Sequence, residues 1–191
     1  MNILHLDSSI NGENSASRTL SAAIVRELRG AEPDAALTYR DLVLDPLEHL
    51  TLPGFATEQS QRALAEFQAA DVIVIGTGMY NLSVPSQLKA WFDRIMIAGQ
   101  TFKYTETGPQ GLAGGKRAIV ALARGGLYGE GSPARAVEHA ESYIADVLAF
   151  LGIEDVRFVI AEGLAIGPEQ RKAALAAAHE VVGRLFPVAV Q

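Results

Sequence analysis

Hydrophobic positions along the chain come in two rhythms that alternate from the N-terminus onward. Ile3, Leu4 and Leu6 open with a short strand pattern, and Leu20, Ile24, Val25 and Leu28 follow at helical spacing, closed near Gly30. Leu37 to Leu42 alternates as a second strand, which Asp45-Pro46 breaks. Thr57 to Ala70 reads as an amphipathic helix with Leu64 and Phe67 inward. Val72 to Ile75 is a continuous β-branched run, the mark of a strand covered on both faces. It stops in a Gly-x-Gly loop, Gly76-Thr77-Gly78, before a helix from about Pro85 to Ala98 that carries Leu88, Trp91, Phe92 and Ile95. Thr101 to Leu112 alternates briefly and then holds turn residues, which predicts an excursion or hairpin outside the main sheet. Arg117 to Ala123 is a fourth strand, Ala134 to Leu151 a long helix stopped by Gly152, Val156 to Ala161 a fifth strand, and Pro168 to Phe186 an Ala-rich closing helix.

Strand and helix alternating five times predict an α/β protein with a parallel sheet between two helical layers. Five strands favour the doubly wound order 2-1-3-4-5, counted without the excursion, and that order gathers the loops after strands one, three and four at one edge. The 191 residues suit one domain, and no repeat, low-complexity stretch or linker divides residues 1–191.

Bulk properties narrow the function. Net charge is −6 and the isoelectric point about 5.2, which gives no electrostatic footprint for nucleic acid. There is no cysteine, so disulfides and thiolate metal sites are excluded. His5, His49, His139 and His179 form no ligand spacing, and no metal is expected. No apolar run approaches the roughly 18 residues of a membrane span, and the first residues do not resemble a signal peptide, so the expected location is the cytoplasm.

Chemistry gathers in three loops. The first, Asp7 to Arg18, has four serines, two asparagines and a glycine just ahead of a helix. One helix cap needs one hydroxyl; several hydroxyls and free amides there predict a phosphate site. The third-strand loop offers Met79, Tyr80 and Asn81 as a wall for a planar ring. The fourth, Arg124 to Ser132, has four glycines, and Gly125 and Gly126 can bring backbone amides close to a ring's polar edge. A phosphate joined to a flat heterocycle with a polar edge describes FMN. Tyr128 is a candidate proton donor or stacking residue, with a half-buried loop tyrosine as the plainer reading. Other motifs fail. Asn81 stands where a dinucleotide fingerprint needs its third glycine, Gly115-Lys116 lacks the flanks of a P-loop, and there is no Gly-x-Ser-x-Gly elbow.

The chain resembles the FMN-dependent NADH-azoreductases, also described as FMN-dependent NADH:quinone oxidoreductases. The likeness runs nearly end to end. Ser8-Ser9 with Ser15-Ala16-Ser17, Met79-Tyr80-Asn81-Leu82, Val84 to Trp91, Thr101 to Thr105, Gly108 to Leu112, Arg124-Gly125-Gly126, Phe150 to Ile153 and Ala161 to Gly163 carry it. It implies a flavodoxin-like homodimer with one FMN per protomer, and a ping-pong cycle in which NADH or NADPH reduces the flavin and a quinone or azo compound takes the electrons. It implies that Ser9, Ser15, Ala16 and Ser17 hold the phosphate. Met79, Tyr80, Asn81, Leu82, Ala123, Arg124, Gly125 and Gly126 would hold the ring, and Tyr104 and Phe150 would reach over it from the partner protomer. The pattern departs at Ala123, where serine is common, at Ala16, where a polar residue is usual, and at Tyr128, where some members have histidine. The stretch 45–57 is short for the family. Competing readings are a flavodoxin-like electron carrier with no NAD(P)H turnover of its own and a flavin-free nucleotide-binding regulator.

Overall fold

Side chains that alternate along a strand need cover on both faces of a sheet, and that requirement organises this fold. The computed structural model describes residues 1–186. Its central sheet contains β1 (Asn2–Asp7), β2 (Ala36–Asp41), β3 (Val72–Gly78), β6 (Arg117–Ala123) and β7 (Asp155–Ala161). The strands are parallel in the order β2-β1-β3-β6-β7. This is the doubly wound order expected once the small hairpin β4 (Phe102–Thr105) with β5 (Gly108–Gly111) is set aside. The flanking helices are α1 (Ala16–Ala31), α2 (Glu58–Ala69), α3 (Ser86–Ile95), α4 (Ala140–Phe150) and α5 (Pro168–Leu185).

Successive strand residues feed two separate cores. Leu4, Leu6, Ile73, Ile75, Val120 and Leu122 meet Phe67 of α2, Trp91 and Phe92 of α3, and Leu148 of α4. Ile3, Val72, Val74, Ile119 and Ala121 meet Leu20 and Ile24 of α1 and Ala178 and Val182 of α5. Trp91 is fully buried among these side chains, as a core residue rather than part of a cofactor site. Full burial of each such large apolar side chain is worth about 1.5–3 kcal/mol.

Three predicted boundaries move, each for a local reason. β3 does not end at Ile75: it continues through Gly76, Thr77 and Gly78, paired with Ala121, Leu122 and Ala123. Position 76 within the strand is a glycine because Asp7 and Ser21 leave no room there for a Cβ. α3 stops at Ile95, short of Ala98, where the Thr101 hydroxyl donates to the Ile95 carbonyl at 2.6 Å and turns the chain into the hairpin. α4 begins at Ala140 rather than Ala134. Pro133–Val137 forms a separate 3-10 turn, and the Glu138 carboxylate accepts the Ala140 and Glu141 amides, fixing the true helix start.

Candidate functional site

The loops after β1, β3 and β6 meet at the carboxyl edge of the sheet, as the strand order requires. They enclose an open cleft of about 230 Å³ lined by Ser9, Ser15, Ala16, Met79, Tyr80 and Arg124 together with residues beside them in the same loops. Leu164, Ala165 and Arg171, from the β7–α5 connection and the first turn of α5, close its side.

The first wall is built around α1. Ser15 caps the helix, its Oγ accepting the Arg18 amide at 3.3 Å, and shares a 3.1 Å hydrogen bond with Ser17 Oγ. Ser8 is not part of the cleft: its hydroxyl goes to Thr77 Oγ1 at 2.9 Å, stitching β1 to β3. The loop is held from beneath by Arg18, which donates to the Ser9 carbonyl from Nε (3.2 Å) and Nη2 (2.9 Å) and grips Asp41 with both terminal nitrogens at 2.5 and 2.9 Å. The hydrogen bond from Arg18, reinforced by the Val43 and Leu44 amides, holds the Asp41 carboxyl below its ordinary range, and Asp41 in turn keeps Arg18 firmly protonated. Tyr39 reaches inward to Asp7 at 3.1 Å, and desolvation together with the Asp7 and Asp41 charges pushes its hydroxyl up to about 12.

The second wall differs from the sequence expectation. Met79 and Tyr80 line the cleft, but the Tyr80 hydroxyl also crosses to the first loop, 3.0 Å from Ser9 Oγ, and accepts the Ile10 amide at 3.3 Å. Its ring lies against Gly78, where a Cβ would meet it at 3.1 Å. Asn81 and Leu82 are outside the cleft lining. They form the corner of a two-residue turn closed by reciprocal Tyr80–Ser83 backbone hydrogen bonds, both at positive φ (47° and 76°). Asparagine suits such a turn, whereas leucine there is strained.

The third wall is backbone. Gly125 and Gly126 give their carbonyls to the Ala165 and Gly163 amides, while their own N–H groups make no hydrogen bond within the described residues. Arg124 lines the cleft, and its guanidinium is buried among carboxylates: Glu141 at 2.5 Å, Glu138 at 3.2 Å and Glu162 at 3.5 Å. Burial alone raises the Glu141 carboxyl, but hydrogen bonds from Arg124 and Arg135 outweigh it and hold the group below its usual range. Glu162 also accepts the Tyr128 amide at 2.9 Å. Tyr128 folds its ring back over Gly126 and does not line the cleft.

Tyr104 and Phe150 do not face the cleft of their own chain. Both pack edge-on against Phe102, at ring separations of 5.4 and 4.8 Å, and Tyr104 is 75% exposed on the hairpin. The sequence patterns pointed neither to Arg171, which lines the cleft and donates to the Asn14 carbonyl at 2.9 Å, nor to the Glu138 and Glu141 carboxylates around Arg124, and they held Glu162 only as part of the Ala161 to Gly163 motif. Among the described residues no helix is long and apolar enough to cross a membrane.

A hydroxyl-rich helix start, a flat aromatic wall and free glycine amides at the carboxyl edge of a doubly wound sheet define a flavodoxin-like protein. The family model for the flavodoxin-like fold matches residues 1–185, and the chain belongs to that family. It is 50% identical to the FMN-dependent NADH:quinone oxidoreductase of Methylorubrum populi, over 97% of this chain and 98% of that one. It is also 50% identical to the protein of the same name from Sinorhizobium fredii, over 95% of each. Among solved structures it superposes on an azoreductase from Bacillus anthracis (TM-score 0.89, 27% identity, 97% of this chain and 98% of that one). A second is an FMN-dependent NADH-azoreductase of Bacillus anthracis in complex with FMN (TM-score 0.85, 27% identity, 97% and 100%). The resemblance read from the sequence motifs is borne out.

Proposed function

We propose that this protein is an FMN-dependent oxidoreductase that takes hydride from NADH, or NADPH, and reduces quinones or azo compounds by a ping-pong mechanism. The observation that carries the proposal is the cleft itself, which brings a hydroxyl-lined helix start and Gly125, whose amide is unspent, to one cavity. End-to-end likeness to FMN-dependent NADH:quinone oxidoreductases supports the reading.

The residues fit FMN. Ser9, Ser15 and Ser17, with the Ala16 amide, suit the phosphate, because hydroxyls and free helix-start amides favour an anion. Met79 and Tyr80 from one loop, and Ala123, Arg124 and Gly125 from another, bound the space for the ring, with Asn81, Leu82 and Gly126 next to them in the same loops but outside the lining. The Gly125 and Gly126 N–H groups favour negative charge at a ring's polar edge. Flavin supplies the hydride chemistry when bound, so the protein's work is binding, orientation and exclusion of water. Tyr128, folded over Gly126, is the candidate for delivering a proton. A second copy of the chain supplies Tyr104 and Phe150 to complete the pocket, so the active unit is a homodimer. Residues 1–191 act as one domain, of which 187–191 lie outside the described residues, and the protein works in the cytoplasm.

An anaerobic absorption spectrum tests the proposal. Flavin bands that bleach with NADH and return with a benzoquinone support both half-reactions. Flavin that binds but does not bleach with NADH overturns the enzyme reading in favour of an electron carrier, and a protein that binds no FMN overturns both.

A further inference from the structure

Arg171 is the one arginine lining the cleft whose charge is not spoken for. Arg18 is bound to Asp41, and Arg124 is surrounded by Glu138, Glu141 and Glu162. Arg171 is half-buried, has no carboxylate partner among the described residues, and makes a single side-chain hydrogen bond, from Nη2 to the Asn14 carbonyl. That carbonyl immediately precedes Ser15, so the guanidinium stands beside the Ser15 and Ala16 side of the cleft. A guanidinium has five N–H donors in a fixed fork, and one is committed to Asn14. The chain carries a net charge of −6, yet this wall of the cavity presents an unneutralised cation.

Resting on the proposed FMN site, we infer that Arg171 is its specificity-determining charge: it selects the phosphorylated flavin, FMN, over riboflavin. The hydroxyls and amides of the first loop bind a phosphate through neutral donors. Arg171 adds an ion pair with a phosphate that riboflavin, whose ribityl end carries only a neutral hydroxyl, cannot match. It also ties α5 to the start of α1, so that the two elements close on the same anion.

The test is fluorescence-quenching titration of apoprotein with FMN and, separately, with riboflavin at several salt concentrations, for wild type, Arg171→Gln and Arg171→Lys. Wild type is expected to prefer FMN, with an affinity that falls as salt rises. Arg171→Gln is expected to weaken FMN about tenfold, a typical loss for one charge-assisted contact, to leave riboflavin unchanged and to flatten the salt dependence. Arg171→Lys keeps the charge and retains most of the preference. Equal weakening of both flavins would show that Arg171 only braces the Asn14 turn and would overturn the inference, as would an unchanged FMN affinity. If wild type itself binds no FMN, it is the proposed function that fails.

Discussion

The Tyr80 hydroxyl lies 3.0 Å from Ser9 Oγ, so the loop after β3 is tied to the loop after β1 beside the cleft that both residues line. The same oxygen accepts the Ile10 amide, and Ser9 Oγ accepts the Asn11 amide, making a short chain of hydrogen bonds along the first loop. Tyr80→Phe keeps the ring on Gly78 and removes only this link. A net hydrogen bond contributes about 1 kcal/mol, so the urea midpoint is expected to fall by that equivalent with no change in slope. FMN affinity, read by fluorescence quenching, is expected to fall several-fold as the loop loosens.

Gly76 makes a sharper case. A Cβ there would collide with Asp7 Oδ1 and lie 2.7 Å from Ser21 Oγ, two groups already joined by a 2.8 Å hydrogen bond beneath the first loop. Gly76→Ala forces that buried pair apart or shifts β3. Overpacking typically costs about 1–3 kcal/mol, and an Asp7 carboxylate deprived of its partner adds to this. Thermal unfolding is expected to show a drop of several degrees or more. An unchanged melting temperature would mean that the two strands can separate here at no cost.

The Arg18, Asp41 and Tyr39 group gives stability a defined pH dependence. Asp41 is held below its unfolded range by Arg18, so the folded state binds fewer protons. The stabilisation is therefore fully present above the unfolded carboxyl value of about 4 and is lost as pH falls through the lower folded value. Tyr39 runs the other way: its folded value is raised to about 12, so its contribution is full below about pH 10 and fades as pH climbs to 12. Asp41→Asn is expected to cost about 2 kcal/mol near neutrality, with the gap from wild type closing below pH 4. Tyr39→Phe is expected to make the alkaline limb shallower. Denaturant melts from pH 3 to 11.5 measure both.

The sheet order was legible because Val72 to Ile75 and Ala118 to Ala123 are apolar without interruption, and only strands covered on both faces read that way. That the first loop lines the cleft was legible for a similar reason, since hydroxyls cluster in one short stretch before a helix. Arg171 was not: it lies on an Ala-rich helix and meets its partner Asn14 across 157 residues, a contact no local pattern carries. The Arg124 side chain was misleading in the opposite sense. It stands beside Gly125 and Gly126 in sequence, but its guanidinium serves three carboxylates contributed by α4, the turn before it and the segment after β7. Glycines were legible as glycines but not in their purpose, because whether one marks a turn or a close approach depends on what lies opposite.

Gly111 and Gly152 supply the last prediction. The hairpin passes the end of α4 backbone to backbone: a Cβ on Gly152 would lie 3.2 Å from the Gly111 carbonyl carbon, and one on Gly111 would strike the Leu151–Gly152 peptide. The Ala113 amide donates to the Leu151 carbonyl at 2.9 Å beside it, and Phe102 seals the contact against Phe150. The hairpin that presents Tyr104 is thus clamped rather than loose. Gly111→Ala is expected to destabilise the protein by about 1–3 kcal/mol and to displace Tyr104. Tyr104→Ala, on a side chain 75% exposed, is expected to leave the melting temperature unchanged. If a second copy's Tyr104 completes the pocket, both variants lower kcat/KM for quinone while only the first loses stability. An unchanged kcat/KM in Tyr104→Ala would remove Tyr104 from the pocket and leave Phe150 as the aromatic to test.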